Sequence, residues 1–301
     1  MFGLSSMRSD RTPLGGSFVF GDGCVVGRLG YGTMQLPGPG VWGEPLDHDE
    51  AIRVLRRAVE GGVTLIDTAD VYGPEVAERL IAEALYPYPD DLVVATKAGM
   101  TRSGPNRWGI DGRPEHLRAQ AERSLHLLRL DRIELFQLHR IDPAVPLADQ
   151  LGALRSLQDD GKIGRIGLSE VSVTEIAAAR LIVPIATVQN RYNLSDRRAE
   201  DVLQYCEHEG IGFIPWFPMA TGHLTQPNGP LARIAAELGA SSAQLALAWL
   251  LQHSPVLLPI PGTSNVAHLN ENLAAAHLAL THDVISRIDV SSERLDKKRK
   301  R

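Results

Sequence analysis

The chain has 301 residues, with 31 Lys and Arg against 36 Asp and Glu, and its net charge of −5 leaves no dominant basic surface to suggest nucleic acid or an anionic membrane as partner. Its two cysteines, Cys24 and Cys206, are far apart and in no CxxC or paired-His spacing, so neither a disulfide framework nor a metal site is expected. No run approaches the roughly 18 apolar residues of a membrane span, and the expectation is a cytoplasmic protein, monomeric or homo-oligomeric, acting on a small molecule.

Residues 1–16 lack the apolar core of a signal peptide and are expected to form a flexible tail. Ser17-Phe18-Val19-Phe20, Gly21-Asp22-Gly23 and Cys24-Val25-Val26 then alternate as a β-hairpin with a Gly-rich turn. From there, short Val/Ile/Leu runs alternate with segments whose apolar residues recur every three or four positions, the pattern of βα units around a parallel sheet. The strands centre on Leu29–Thr33, Val63–Ile66, Leu92–Thr96, Ile133–Leu138, Ile163–Leu168, Ile185–Val188, Ile211–Pro215 and Val256–Ile260. Between them, Asp47 with Glu50, Ser172 with Glu175 and Ser241 with Gln244 read as capping boxes, and Pro74, Pro114 and Pro230 fit first turns. Gly61-Gly62, Gly161 and Gly210 fit helix ends. The stretch from Trp216 to His253 is too long for one βα connection and predicts an extra helix. Residues 291–301 end in the basic run Asp296 to Arg301, read as a flexible tail. Eight strands with intervening helices close most naturally as a (β/α)₈ TIM barrel, one domain over 17–290, with the hairpin capping its bottom.

The reactive face of such a barrel lies at the C-terminal ends of its strands. There the second strand delivers Asp67 and, one loop later, Tyr72; the third gives Lys97, the fourth His139, the fifth Ser169, the sixth Gln189 and Asn190, and the seventh Trp216. Singly, each has an ordinary explanation, such as a capping Asp, a surface Lys, a structural His or a packed Trp. Jointly they do not, because ionisable groups ending three consecutive buried strands incur desolvation unless they pair with one another or act on a ligand.

Through Leu65-Ile66-Asp67-Thr68-Ala69-Asp70-Val71-Tyr72-Gly73, Ala95-Thr96-Lys97, Leu135-Phe136-Gln137-Leu138-His139 and Pro259-Ile260-Pro261-Gly262-Thr263, the sequence resembles the aldo-keto reductases from about Val25 to Ala276. That family's Asp, Tyr, Lys and His tetrad falls on Asp67, Tyr72, Lys97 and His139. A lysine ammonium about 4 Å from a phenolate interacts with it by roughly 4 kcal/mol at an effective dielectric near 20, enough to lower the phenol pKa by up to about three units. Lys97 would thus make Tyr72 a general acid, Asp67 would keep Lys97 charged, and His139 would complete an oxyanion site. No side chain supplies a hydride, and no GxGxxG follows the first strand, so the resemblance implies NADP(H), with NAD(H) as the alternative, held across the barrel mouth. It places the nicotinamide carboxamide on Ser169, Glu170 and Gln189, the ring against Trp216, the phosphates on Gly262, Thr263, Ser264 and Asn265, and adenine on Glu271 and Asn272. Where relatives often carry Lys and Arg for the 2′-phosphate, this chain has Gly262 and His268, with His268, Ser264 and Asn265 as substitutes; Glu170 stands where the family has Asn.

The loops after the strands contribute Met34, Trp42, Trp108 and Phe217, with Met100, Ile141 and Met219, an apolar and aromatic set that favours aldehydes or ketones of that character. Arg102, Arg107 and Arg140 are candidates to recruit an anionic group, or are solvated loop charges. The implied activity is NADPH-dependent reduction of an aldehyde or ketone with Tyr72 as acid. The alternatives are a redox-sensing or regulatory subunit similar to potassium-channel β subunits, and a Schiff-base aldolase using Lys97, which Asp67 and Tyr72 fit poorly.

Overall fold

The computed structural model describes residues 13–219 and 231–299. After an antiparallel hairpin of β1 (Ser17–Val19) and β2 (Val25–Gly27), the chain runs β3 (Tyr31–Gly32), α1 (His48–Glu60), β4 (Leu65–Asp67), α2 (Val76–Leu85) and β5 (Val93–Ala98). A second hairpin, β6 (Met100–Gly104) with β7 (Arg107–Ile110), precedes α3 (Pro114–Leu128), β8 (Ile133–Leu138), α4 (Leu147–Asp159), β9 (Ile163–Ser169), α5 (Val173–Arg180) and β10 (Thr187–Gln189). Then follow α6 (Glu200–Glu209), β11 (Gly212–Phe213), α7 (Ala232–Glu237), α8 (Ser242–His253), α9 (Val266–Ala274) and α10 (His282–Arg299).

Seven strands form one parallel sheet in the order β11-β10-β9-β8-β5-β4-β3. The eighth expected strand, Val256–Ile260, is extended but carries only isolated bridges, Phe213 with Leu257 and Gly32 with Gly262. Pro259 and Pro261 cannot donate to a ladder, so the segment only accepts from β3: it exchanges Leu258 N to Phe213 O and Phe213 N to Val256 O with β11, and receives Gly30 N on Pro259 O and Gly32 N on Pro261 O. Those bonds join β11 to β3 and close the (β/α)₈ barrel. At the seam, a Cβ on Gly262 would lie 2.8 Å from Gly32 O, so this closure excludes any side chain at 262.

Strand alternation sorts the core. Leu65, Val93, Ala95, Ile133 and Leu135 pack in one apolar cluster, while Ile66 and Val94 join Leu55, Leu80 and Ile81 beneath α1 and α2. The same period of two turns Asp67, Lys97 and Gln137 to the side of Leu65, Ala95 and Leu135, into the barrel, and Thr96 outward to α2. The hairpin does cap the bottom: Phe18, Phe20 and Val26 are buried in the main core, each apolar side chain contributing about 1.5–3 kcal/mol, and the Phe18 ring lies against Gly212 at the start of β11. Arg165 from β9 stacks on Phe20, 4.8 Å to the ring centroid, and pairs with Asp22 in the turn.

The boundaries differ from expectation where long-range contacts decide. Of the tail 1–16, residues 1–12 lie outside the described residues, but Leu14 is buried and its carbonyl receives Leu29 N at 3.0 Å, which fixes the chain before the hairpin. The other tail, expected from 291, continues α10 to Arg299. Pro230 is outside the described residues, and α7 supplies the expected extra helix. The Ser172 and Ser241 capping boxes are complete. At α1, Asp47 accepts Glu50 N, but the Glu50 carboxylate turns away to Val266 N (2.9 Å) and Arg53 Nε (2.9 Å), so that box is half made. The loop after the third expected strand, which carries Met100 and Trp108, is the antiparallel β6–β7 hairpin.

Candidate active site

All four tetrad residues converge at the C-terminal end of the barrel. Asp67 ends β4, Lys97 is the penultimate residue of its neighbour β5, and His139 follows β8, with Asp67 in register with Ala95 and Lys97 with Gln137. Tyr72 is brought back by the turn at Gly73, whose φ of +101° and Cβ position 2.4 Å from Val76 Cβ admit only glycine. Lys97 Nζ, fully buried, donates to Asp67 Oδ2 at 2.7 Å, Thr68 O at 2.8 Å and Tyr72 Oη at 3.5 Å. The other Asp67 oxygen accepts the Gln189 amide at 2.8 Å and the Gln137 amide at 3.1 Å. Tyr72 and His139 meet edge to face, centroids 6.1 Å apart.

Burial works against the Lys97 charge, but Asp67 first and Tyr72 next outweigh it and hold the ammonium above its ordinary pKa. Burial likewise lifts the Tyr72 phenol; Lys97 pulls in the opposite direction without overcoming it. Tyr72 is therefore a protonated phenol, and the lowering expected from Lys97 alone is reversed by desolvation. His139 is driven well below its ordinary range by burial, then by Lys97 and Arg140, so it is a neutral imidazole, its Nδ1 buried without a partner among the described residues. The site thus offers two neutral O–H or N–H donors beside a fixed buried cation, a geometry suited to an oxygen that gains negative charge.

The other expected contacts are distributed around this centre. Ser169 ends β9 and its Oγ accepts Arg140 Nη1 at 2.9 Å; Gln189 ends β10 and, with its amide donated to Asp67, keeps its Oε1 as acceptor. Glu170, at φ +55°, accepts Trp216 Nε1 at 2.6 Å and Arg191 N at 2.7 Å, so this carboxylate fixes the indole instead of standing free. Thr263, Ser264 and Asn265 lead into α9 as expected, but its amides are partly spoken for: Asn265 N on Thr263 Oγ1, His268 N on Asn265 Oδ1 and Val266 N on Glu50 Oε1. Ser264, Asn265 and His268 are exposed and Glu271 is half-buried. Asn272 is buried, its Nδ2 without a partner among the described residues.

Of the pocket residues, Trp42 and Trp108 come together around Arg102, whose guanidinium stacks on Trp108 at 3.8 Å and Trp42 at 5.5 Å. It also donates to the carbonyls of Gly40, Val41, Val71 and Gly104, so Arg102 ties the loops after β3, β4 and β5 into one roof and is not free for an anion. Met34 lines a cavity of roughly 480 Å³ with Gln35, Val41, Asn106 and Ser264. Phe217 lies on another flank, under Arg191 and against Trp216.

Sequence reasoning missed Gln137 as the partner of Asp67; a polar residue at an inward position of an apolar strand was the available signal. It also missed a buried acid pair behind the tetrad. Glu78 on α2, fully buried, accepts Thr96 Oγ1 at 2.6 Å, and burial pushes it up to about 7; Asp70 is pushed up by burial and by Glu78.

A model of the aldo/keto reductase family matches residues 28–293. An uncharacterised oxidoreductase of Schizosaccharomyces pombe is 46% identical over 94% of this chain and 92% of its own, and pyridoxine 4-dehydrogenase of Escherichia coli is 44% identical over 88% and 94%. The solved structure of a Klebsiella pneumoniae aldo-keto reductase in complex with NADPH superposes with a TM-score of 0.78 at 25% identity, over 91% of this chain and 94% of that one.

Proposed function

Since the chain belongs to the aldo/keto reductase family, we propose that it reduces an aldehyde or ketone to the alcohol with NADPH, in the cytoplasm, at the site built on Asp67, Tyr72, Lys97 and His139. The observation that carries this reading is the buried chain from Asp67 through Lys97 to the Tyr72 hydroxyl, a proton donor set beside a cation at a strand-end face. NADPH, when bound, supplies the hydride to the carbonyl carbon. The residues fit it: the buried Asn272 amide, whose Nδ2 has no partner among the described residues, would serve adenine, the exposed Ser264, Asn265 and His268 would serve the phosphates, and Gln189 Oε1 and Ser169 Oγ would offer an acceptor and a hydroxyl to the carboxamide beside Trp216. Support for the phosphorylated dinucleotide comes from the NADPH complex of the Klebsiella protein.

Tyr72 and His139 receive the carbonyl oxygen. As the carbon is reduced, the oxygen gains charge, Tyr72 gives it a proton, and Lys97 holds the resulting phenolate, with Asp67 balancing the cation. A protonated Tyr72 and a neutral His139 suit the reduction direction, because both can donate to the carbonyl at neutral pH. Similarity to the Escherichia coli pyridoxine 4-dehydrogenase, with the aromatic roof, favours an aromatic aldehyde of the pyridoxal type. Purified protein is assayed for aldehyde-dependent oxidation of NADPH and, separately, NADH, with pyridoxal and 4-nitrobenzaldehyde. Turnover with NADPH supports the reading, and no turnover with either nucleotide refutes it.

A further inference from the structure

Resting on the reductase reading above, this inference concerns which carbonyl compounds the site prefers. A cation withdrawn from water needs either an anion or a full set of acceptors. Arg28, Arg102 and Arg140 are each partly buried without a salt bridge among the described residues. Arg28 is satisfied by the carbonyls of Leu251, Ser254 and Leu257, and Arg102 spends both Nη groups on four carbonyls and its faces on two indoles, with its Nε enclosed beneath them and closed to any ligand. Arg140 is different. Its Nη1 donates to His139 O at 2.6 Å and Ser169 Oγ at 2.9 Å, and its Nε and Nη2 hydrogens have no partner among the described residues. That open edge belongs to the residue directly after His139, is anchored to Ser169, and lies near enough to act electrostatically on Tyr72.

We propose that Arg140 is a specificity-determining residue that receives an oxyanion adjacent to the reacting carbonyl, so that the favoured substrates carry such an oxygen: the phenolate of an ortho-hydroxy aromatic aldehyde, or the carboxylate of an aromatic 2-oxo acid. Tyr72 and His139 take the carbonyl oxygen while the Nε and Nη2 hydrogens take its neighbour, and the partly buried cation gains a directly bonded counter-charge in addition to the more distant one of Glu170. Both sources present the same chemistry, an anionic oxygen next to the carbonyl that can bridge two N–H groups. The effect of Arg140 is selective because an oxyanion elsewhere on the ring does not reach that edge.

The test compares 2-hydroxy-5-nitrobenzaldehyde and phenylglyoxylate with 4-hydroxy-3-nitrobenzaldehyde, whose phenolate is remote, and 4-nitrobenzaldehyde, which has none. Alcohol formation is quantified by chromatography for wild type, Arg140→Met and Arg140→Lys. The corresponding alcohols, which are not reduced, are titrated against tryptophan fluorescence so that binding is read apart from turnover. Wild type should prefer at least one adjacent-oxyanion substrate over the remote isomer by roughly 10- to 100-fold in kcat/KM; Arg140→Met should abolish that preference, read as the ratio to 4-nitrobenzaldehyde in the same variant, and Arg140→Lys should restore part of it. A preference for the aldehyde alone or the oxo acid alone identifies the source. No preference in wild type, or an equal loss on all substrates in Arg140→Met, overturns the assignment of Arg140 and leaves the reductase reading standing. No turnover of any substrate by wild type overturns both.

Discussion

Replacing Asp67 by Asn takes one charge out of a closed polar layer and leaves its cation behind. In the native site Lys97 is wholly buried, and among the described residues Asp67 is the one carboxylate bonded to it, at 2.7 Å. The second Asp67 oxygen accepts two glutamine amides, at 2.8 and 3.1 Å. An asparagine presents one oxygen and one NH₂, so either the ammonium or the two amides face a donor. Removing one partner of a buried ion pair costs about 3–5 kcal/mol. A chain of this length unfolds with an entropy of roughly 0.6 kcal/mol/K, so Tm should fall by about 5–8 °C. Differential scanning calorimetry at pH 7 under conditions of reversible unfolding reads this directly, and reduction of 4-nitrobenzaldehyde should fall with it because the ammonium is no longer aimed at Tyr72. A Tm change below about 1 °C would refute the reasoning, since it would mean that Lys97 does not depend on Asp67 for its charge.

Glu78→Gln tests the buried acid: with its pKa raised to about 7 from 4.5, the native group stays protonated between those values while the unfolded one ionises, so it lowers stability as pH rises from 4.5 to 7. The substitution should therefore stabilise the protein at pH 8, by up to about 3 kcal/mol, and give nothing at pH 4, as urea titrations at the two pH values will show. His139 has the opposite sense: its lowered pKa means the unfolded chain takes up a proton below about pH 6.5 that the native site refuses, so its ring nitrogens should show no titration by ¹⁵N NMR from pH 8 to 6. Glu50→Gln removes a half-buried carboxylate charge held against the first turn of α9 and should tighten NADPH relative to NADH by about two- to fivefold in fluorescence titrations; an unchanged ratio would separate Glu50 from the phosphate end. Arg102→Ala frees four carbonyls of three loops and should raise KM for aromatic aldehydes by about tenfold while sparing NADPH affinity.

Much of this site was legible in the sequence because strand periodicity is local. An apolar run ending in Asp67, Lys97 or His139 fixes which end of the barrel receives the side chain, and the alternation Leu65, Asp67 or Ala95, Lys97 fixes that it points inward. What was not legible depends on residues meeting across the fold. The β6–β7 hairpin has no apolar alternation, since its faces are a cation and two indoles that find each other only in three dimensions. The segment Val256–Ile260 reads as a strand by composition, yet Pro259 and Pro261 deny it a ladder, and closure rests on the bare approach of Gly32 to Gly262. Glu50 looked like a local cap, but Val266, from the far end of the chain, competes for its carboxylate. The lowering of the Tyr72 pKa by Lys97 was argued from charge alone, and the depth of the site supplied the larger, opposing effect.

The central claim is that Tyr72 gives the proton and is not needed to hold the nucleotide. Tyr72→Phe removes one oxygen while keeping the ring against His139. Measured side by side with wild type, its Kd for NADPH by tryptophan fluorescence should agree within about twofold, while kcat for 4-nitrobenzaldehyde should fall by about 10²–10⁴-fold. Retained turnover in a variant that binds NADPH normally would contradict the account.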